Sequence, residues 1–189
     1  MLTLFPIVPH LPPGFTYRPE FISAVEEDEL MEHIHRIPLK PFVFQGYEAK
    51  RRVASFGWDW SFQDRTLKKG RDIPGIFEGL IGRVAEFVQL QAAAFAELLI
   101  TEYPKGSVIN WHRDAPPFEL IAGISLATDC LFRLKPYEKE KQKPGSVITV
   151  PVQRRSLYIM EGEARSQWQH SIPAVKDHRY SITLRTLRV

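Results

Sequence analysis

From Glu97 onward the chain is cut into short runs of β-branched, aromatic and aliphatic residues. Proline or glycine closes each run within a few positions, at Pro104, Gly106, Pro116-Pro117, Pro144-Gly145, Gly162 and Pro173. This punctuation predicts strands over about 97–103, 107–110, 120–127, 130–135, 146–150, 156–161, 168–172 and 179–187. About eight short strands in sequence bury their inner faces by forming two packed sheets or a closed barrel. The charged stretch Glu138 to Lys143 predicts an exposed connection between two of them.

The first half reads differently. Ser23 followed by Glu26 is a capping box, predicting a helix through about His35 with Leu30, His33 and Ile34 on one side and Pro38 past its end. Phe77, Leu80, Ile81, Val84 and Val88 recur at helical spacing and predict an amphipathic helix over about 76–95. Between about Phe42 and Phe62 the pattern is that of a strand interrupted by Gly46 and Gly57. The first 20 residues, rich in proline and aromatics, predict an extended surface arm. The fold class expected is α+β: a jelly-roll, cupin-like double-stranded β-helix with supporting N-terminal helices. One domain is expected over 1–189, with an N-terminal extension over 1–96 and the catalytic core over 97–189.

Composition narrows the class. With 189 residues, 44% hydrophobic and 25% charged, the chain has the make-up of a folded domain rather than of a disordered or fibrous one. No apolar run approaches the roughly 18 residues that span a bilayer. The opening Met1-Leu2-Thr3-Leu4-Phe5-Pro6 lacks a basic region and is a poor signal peptide. A single cysteine, Cys130, excludes an internal disulfide and fits a reducing compartment, so a cytoplasmic monomer is expected. The net charge of +3 suits an anionic partner without demanding one. Lys50-Arg51-Arg52, Lys68-Lys69 and Arg154-Arg155 are each either a solvated face or a phosphate contact.

The chemistry lies in the second half. In a strand, His112 and Asp114 project to one face, because side chains alternate with period two. A second imidazole from a distant strand, His170, completes two histidines and a carboxylate, the ligand set of non-heme Fe(II) with open positions. An isolated His-x-Asp is commonplace; the run from Arg179 to Arg185 gives it weight. Arg179, Ser181, Thr183 and Arg185 share one face of a strand and Tyr180, Ile182 and Leu184 the other. Guanidinium groups on an inward face are costly to bury without an anion, and a dicarboxylate gripped in bidentate fashion supplies one. The alternative is a polar face turned outward. Together these residues point to an oxygenase that uses Fe(II), 2-oxoglutarate and dioxygen.

The chain resembles the AlkB-type Fe(II)- and 2-oxoglutarate-dependent dioxygenases. The resemblance rests on Tyr103-Pro104-Lys105-Gly106, Trp111-His112-Arg113-Asp114, Gly123-Ile124-Ser125-Leu126, Tyr158 to Arg165, His170-Ser171-Ile172-Pro173 and the closing Arg179-to-Arg185 run. It implies iron ligation by His112, Asp114 and His170. It implies that Arg179 and Tyr103 hold the distal carboxylate of 2-oxoglutarate, and that Arg185 sits near the chelating end of the co-substrate or near the substrate. Two positions depart from the family's pattern: Thr101 and Ser181 stand where asparagine is common. The implied reaction is oxidative removal of N-alkyl groups from nucleic acid, with formaldehyde, succinate and carbon dioxide released; the same chemistry on a protein side chain or small molecule is the alternative. The resemblance also makes the N-terminal region a substrate-recognition lid. There Phe56, Trp58, Trp60 and Phe62 alternate on one face, either stacking a flipped base or packing into the core, and Arg51 and Arg52 are placed to meet phosphates. Trp111 reads as packing beside the metal, and Arg165 as either bracing the site or facing substrate.

Overall fold

The computed structural model describes residues 11–44 and 46–188, so the first ten residues of the expected arm lie outside the described residues. In chain order the elements are β1 (Phe15–Arg18), α1 (Ala24–His35), β2 (Lys40–Phe44), β3 (Tyr47–Ser61), β4 (Thr66–Lys69), α2 (Glu78–Phe87), β5 (Phe95–Tyr103) and β6 (Ile109–His112). They continue with β7 (Phe118–Leu126), β8 (Cys130–Pro136), β9 (Ile148–Val152), β10 (Leu157–Met160), α3 (Gly162–Ser166), β11 (Trp168–Ile172) and β12 (Arg179–Leu187). A major sheet runs β1-β10-β7-β12-β5-β3-β2, with β4 paired to β3, and a minor sheet runs β6-β11-β8-β9. Every pairing is antiparallel. These two sheets are the expected double-stranded β-helix.

Alternation along the strands builds two cores. One face of the major sheet, carrying Ala54, Leu98, Ile100, Ala122, Ile124, Ile182 and Leu184, packs against Leu30 and Ile34 of α1 and Leu80, Ile81 and Val84 of α2. The other meets the minor sheet around Tyr103, Phe118, Phe132, Leu134, Val152 and Tyr158. Helix α1 starts as its sequence predicts: Ser23 Oγ accepts from the Glu26 amide and the Glu26 carboxylate accepts from the Ser23 amide. No helix among the described residues is long and apolar enough to cross a membrane.

Three expectations need revision. The helix expected to run to about 95 ends at Phe87. Its end is a Schellman cap, in which Leu90 donates to the Ala85 carbonyl and Gln89 to that of Glu86, with Gln89 at φ +57°. Glycine usually fills that left-handed position, so a glutamine hides the stop in the sequence. Gly57, expected to interrupt a strand, instead lies within the continuous β3 at φ +80°; a Cβ there would sit 2.1 Å from the Ala96 carbonyl oxygen. Finally, the strands expected at 107–110 and 146–150 each form two residues later, as β6 and β9.

Gly57 also overturns the shared aromatic face. Beyond it β3 leaves β5 and pairs with β4. Phe56 belongs to the helix-side core, whereas Trp60 packs against the core between the sheets. Phe62 is exposed and meets Phe44 edge-on. One left-handed residue breaks the period-two alternation on which the expectation rested.

Candidate active site

The ligand candidates converge between the sheets. β6 and β11 pair so that His112 lies directly opposite His170, with ring centroids 4.3 Å apart. Asp114 follows two residues past the end of β6, in the loop rather than in the strand. One donor atom from each of His112, Asp114 and His170 lies within 4.8 Å of the others, a set that fits one metal ion. Nδ1 of His112 lies 2.9 Å from the Asn110 carbonyl oxygen, which leaves Nε2 for the metal. Phe132 stacks on the His170 ring at 5.1 Å and fixes its plane.

Protonation suits ligation. Burial, reinforced by His112, pushes His170 down to about 3, so its imidazole is neutral and its lone pair available. Burial opposes the charge on Asp114, but Arg185, His170, His112 and Arg165 outweigh it and hold the carboxyl well below its usual range. Arg185 donates to Asp114 Oδ1 at 2.9 Å through Nη2 and to Glu97 Oε2 at 2.6 Å through Nη1. Glu97 is 2% exposed. Burial pushes its carboxyl up against the pull of Arg185, while the two carboxylates overcome burial and hold the arginine cationic.

At the other end of β12, Arg179 is fully buried, at 1% exposure, and forms no ion pair among the described residues. Its Nε donates to Ser125 Oγ at 3.2 Å, its guanidinium lies 4.7 Å from the centre of the Tyr103 ring, and its Nη1 has no hydrogen-bond partner among the described residues. A buried, charged donor without an acceptor costs several kcal/mol unless an anion meets it. A carboxylate on the co-substrate would do so. Tyr103 and Ser181 lie beside it with their hydroxyls 3.3 Å apart, and β12 pairs with β5 so that Arg179 faces Tyr103 and Ser181 faces Thr101.

The chain carries the architecture's match along almost its whole length. The family model for the 2OG-Fe(II) oxygenase superfamily matches residues 14–188. The chain belongs to this superfamily. Similar curated proteins include the "Alkylated DNA repair protein ALKBH8 homolog" of Arabidopsis thaliana, 28% identical over 93% of this chain and 59% of that protein. Another is the "tRNA (carboxymethyluridine(34)-5-O)-methyltransferase ALKBH8" of Mus musculus, 30% identical over 86% of this chain. The chain spans little more than half of the first and 24% of the second. The structure of OsALKBH1 superposes with a TM-score of 0.73 at 14% identity, covering 94% of this chain and 98% of that one, a likeness of fold. The chain is similar to AlkB homologues within this superfamily, and His112, Asp114 and His170 form the His-Asp-His set that fits its iron.

The remaining candidates fall into distinct places. Arg165 is buried and donates to the carbonyls of Asp114, Ala115 and Phe118, so it braces the loop that carries Asp114. Arg51 stacks over Phe42 at 4.0 Å, and burial pulls its pKa down; it shares a face of β3 with Ser55, whose hydroxyl donates to Glu97. Arg52 turns away, donating to Glu102 and to the Leu39 carbonyl. Trp58 lines an open groove of roughly 930 Å³ with Lys69, Ile73, Leu90 and Phe95, none of them an iron ligand. Trp60 is half-buried on the inter-sheet side. Lys68 and Lys69 pair with Asp64 and Asp72, and Arg154 and Arg155 with Glu27.

Sequence reasoning assigned no role to Glu97, Ser125 or Tyr158. Glu97 has the same parity in β5 as Thr101 and Tyr103, so the cost argument applied to the arginines of β12 identifies it too. Ser125 and Tyr158 carry no such signal, because neither hydroxyl is costly enough to stand out before the sheets are stacked.

Proposed function

We propose that this protein removes methyl or other small alkyl groups from nitrogen atoms of nucleic-acid bases. For a methyl group the balance is R₂N–CH₃ + O₂ + 2-oxoglutarate → R₂NH + CH₂O + succinate + CO₂. The observation that carries the reading is Arg51: it has no carboxylate partner among the described residues, lies over the Phe42 ring and shares a face of β3 with Ser55, whose hydroxyl donates to Glu97 beside Arg185. A cation beside aromatic surface at the pocket suits a flipped base still joined to its phosphates. The names of the similar proteins from Arabidopsis thaliana and Mus musculus, which concern alkylated DNA and tRNA, support a nucleic-acid substrate.

Iron and 2-oxoglutarate, when bound, supply the oxidising chemistry; the chain supplies position. His112, Asp114 and His170 hold the metal. Arg179 is assigned to the distal carboxylate of 2-oxoglutarate, with Tyr103 and Ser181 orienting it. Arg185 keeps Asp114 ionised and fixed next to the chelating end. The β2–β4 region, through Arg51, Trp60 and Trp58, is assigned to substrate recognition, with Arg52 anchoring it to β5. One domain over residues 1–189 carries all of these parts, working as a monomer in the reducing cytoplasm that the single buried thiol of Cys130 fits.

A second reading keeps the chemistry and changes the substrate to a protein side chain or small molecule. It is favoured by the internal ion pairs of Arg52, Lys68, Lys69, Arg154 and Arg155, which take most basic clusters out of any phosphate track. The test is incubation with Fe(II), ascorbate and 2-oxoglutarate against methylated single-stranded DNA, methylated RNA and methylated peptides. Formaldehyde and succinate formed in equal amounts on an oligonucleotide support the first reading. Turnover on peptides, with every oligonucleotide left methylated, overturns it.

A further inference from the structure

Besides Arg51, a group of cations without a carboxylate partner among the described residues gathers outside the basic runs of the sequence. On the outer face of the minor sheet, Trp111 of β6 reaches across β11 toward β8. Arg133 and Lys135 of β8 both lie over its ring, at 5.1 Å and 4.6 Å from the centroid. Arg133 is steadied by Nε donating to Ser171 Oγ at 3.1 Å, and its two terminal nitrogens make no bond to the described residues. Next to them Arg113, between the ligands His112 and Asp114 in the chain, lies 3.6 Å from the centre of the Tyr137 ring and donates to the Ser166 carbonyl. Among the described residues no carboxylate lies within 4.0 Å of Arg113, Arg133 or Lys135.

We infer that this face, through Arg113, Arg133 and Lys135, docks the phosphate backbone of the single strand that flanks the target nucleotide. Packing alone does not account for the arrangement. A cation over an aromatic ring is favourable by about 0.5–1 kcal/mol at an exposed site, but a second like charge on the same indole repels the first. An anion between them removes the repulsion. Stacking also holds the side chains in place before binding, so less freedom is lost when a phosphate arrives. The patch offers guanidinium and ammonium groups, which meet phosphates and carry no base-edge readout, so its grip is indifferent to sequence. Arg113 lies between two iron ligands in the chain, so the patch borders the segment that carries the metal site.

The inference rests on the nucleic-acid reading of the site, and the experiment separates the two. Binding of an unmodified single-stranded oligonucleotide is measured by anisotropy from low to moderate salt for wild type and for Arg133→Gln/Lys135→Gln. An Arg36→Gln/Arg18→Gln protein, altered at exposed positions just past the end of α1 and at the end of β1, is the matched charge control. The double variant is expected to bind about tenfold or more weakly at low salt, with its log–log salt slope reduced by about 1.4, or roughly 0.7 per lost contact. Its succinate formation without nucleic acid and its melting temperature stay at wild-type values, and the control binds like wild type. Equal binding by wild type and double variant, or an equal loss in the control, overturns the inference and leaves the demethylation assay to judge the substrate. Loss of affinity for polyglutamate alone assigns the face to an acidic protein and also overturns it. Oligonucleotide binding with no demethylation defeats the substrate reading while the surface stands.

Discussion

Arg185 holds the iron ligand Asp114 at 2.9 Å and is itself held by Glu97 on its other side. Glu97 thus reaches the metal through one intermediary, and its buried carboxylate fixes the guanidinium plane. Glu97→Gln keeps an acceptor but removes the charge. Iron affinity should fall about tenfold, within the 10- to 100-fold span typical of groups that orient a ligand. A metal titration by loss of tryptophan fluorescence checks this, with melting temperature as the control for folding.

Removing the ligands themselves should be more drastic. Asp114→Ala and His170→Ala should each abolish stoichiometric iron binding and 2-oxoglutarate-dependent succinate formation. A variant that still forms succinate at the wild-type rate removes that residue from the triad.

Arg179→Ala should act on the co-substrate rather than the metal. Truncating one side of a buried, charge-assisted pair costs about 2–5 kcal/mol, so KM for 2-oxoglutarate should rise at least about thirtyfold. Iron affinity should stay within a few-fold of wild type. Succinate formation over a 2-oxoglutarate series separates the two effects.

Gly123 lies under the Tyr158 ring, where an added Cβ would sit 2.1 Å from the ring carbon Cζ. Gly123→Ala should therefore push Tyr158 out of its buried position and destabilise the fold by about 1–3 kcal/mol. Adding Tyr158→Leu should recover part of that loss. Thermal melts of the two single variants and the double give the coupling.

Glu27 is 0% exposed and accepts from Arg154, Arg155 and the Ala127 amide, tying α1 to the β9–β10 turn. Burial raises its pKa, but these donors outweigh burial and hold it below the ordinary 4.5. A carboxyl depressed on folding adds stability above its unfolded pKa and loses it as pH falls through the folded one. Arg154→Met should cost about 1.5–3 kcal/mol at neutral pH. In denaturation curves taken across pH, the gap from wild type should close as pH falls through the depressed pKa of Glu27.

Local rules carried some parts of this protein outright. The Ser23–Glu26 box needs only neighbours along the chain, so α1 was legible to its first residue. The strands from β7 to β12 were legible because proline and glycine bound them and side-chain parity sorts their faces. The iron triad was legible because its three residue types have few other reasons to occur with an arginine-bearing strand close behind. Where backbone conformation departed from residue preference, local reading failed: Gln89 takes the left-handed place of a glycine, and Gly57 turns one aromatic row into two.

The residue pattern by itself determined the two-sheet architecture and singled out His112, Asp114, His170 and Arg179 as the candidate site, because periodicity, capping and the cost of burying charge act on every chain alike. Only tertiary structure decided that Glu97 stands behind Arg185, that Arg165 braces the loop of Asp114, and that Arg52, Arg154 and Arg155 are spent on internal carboxylates while Arg133 and Lys135 are not. Those outcomes depend on which side chains meet across strands far apart in the chain. Stacking the two sheets sets those distances, and no property of a single segment contains them.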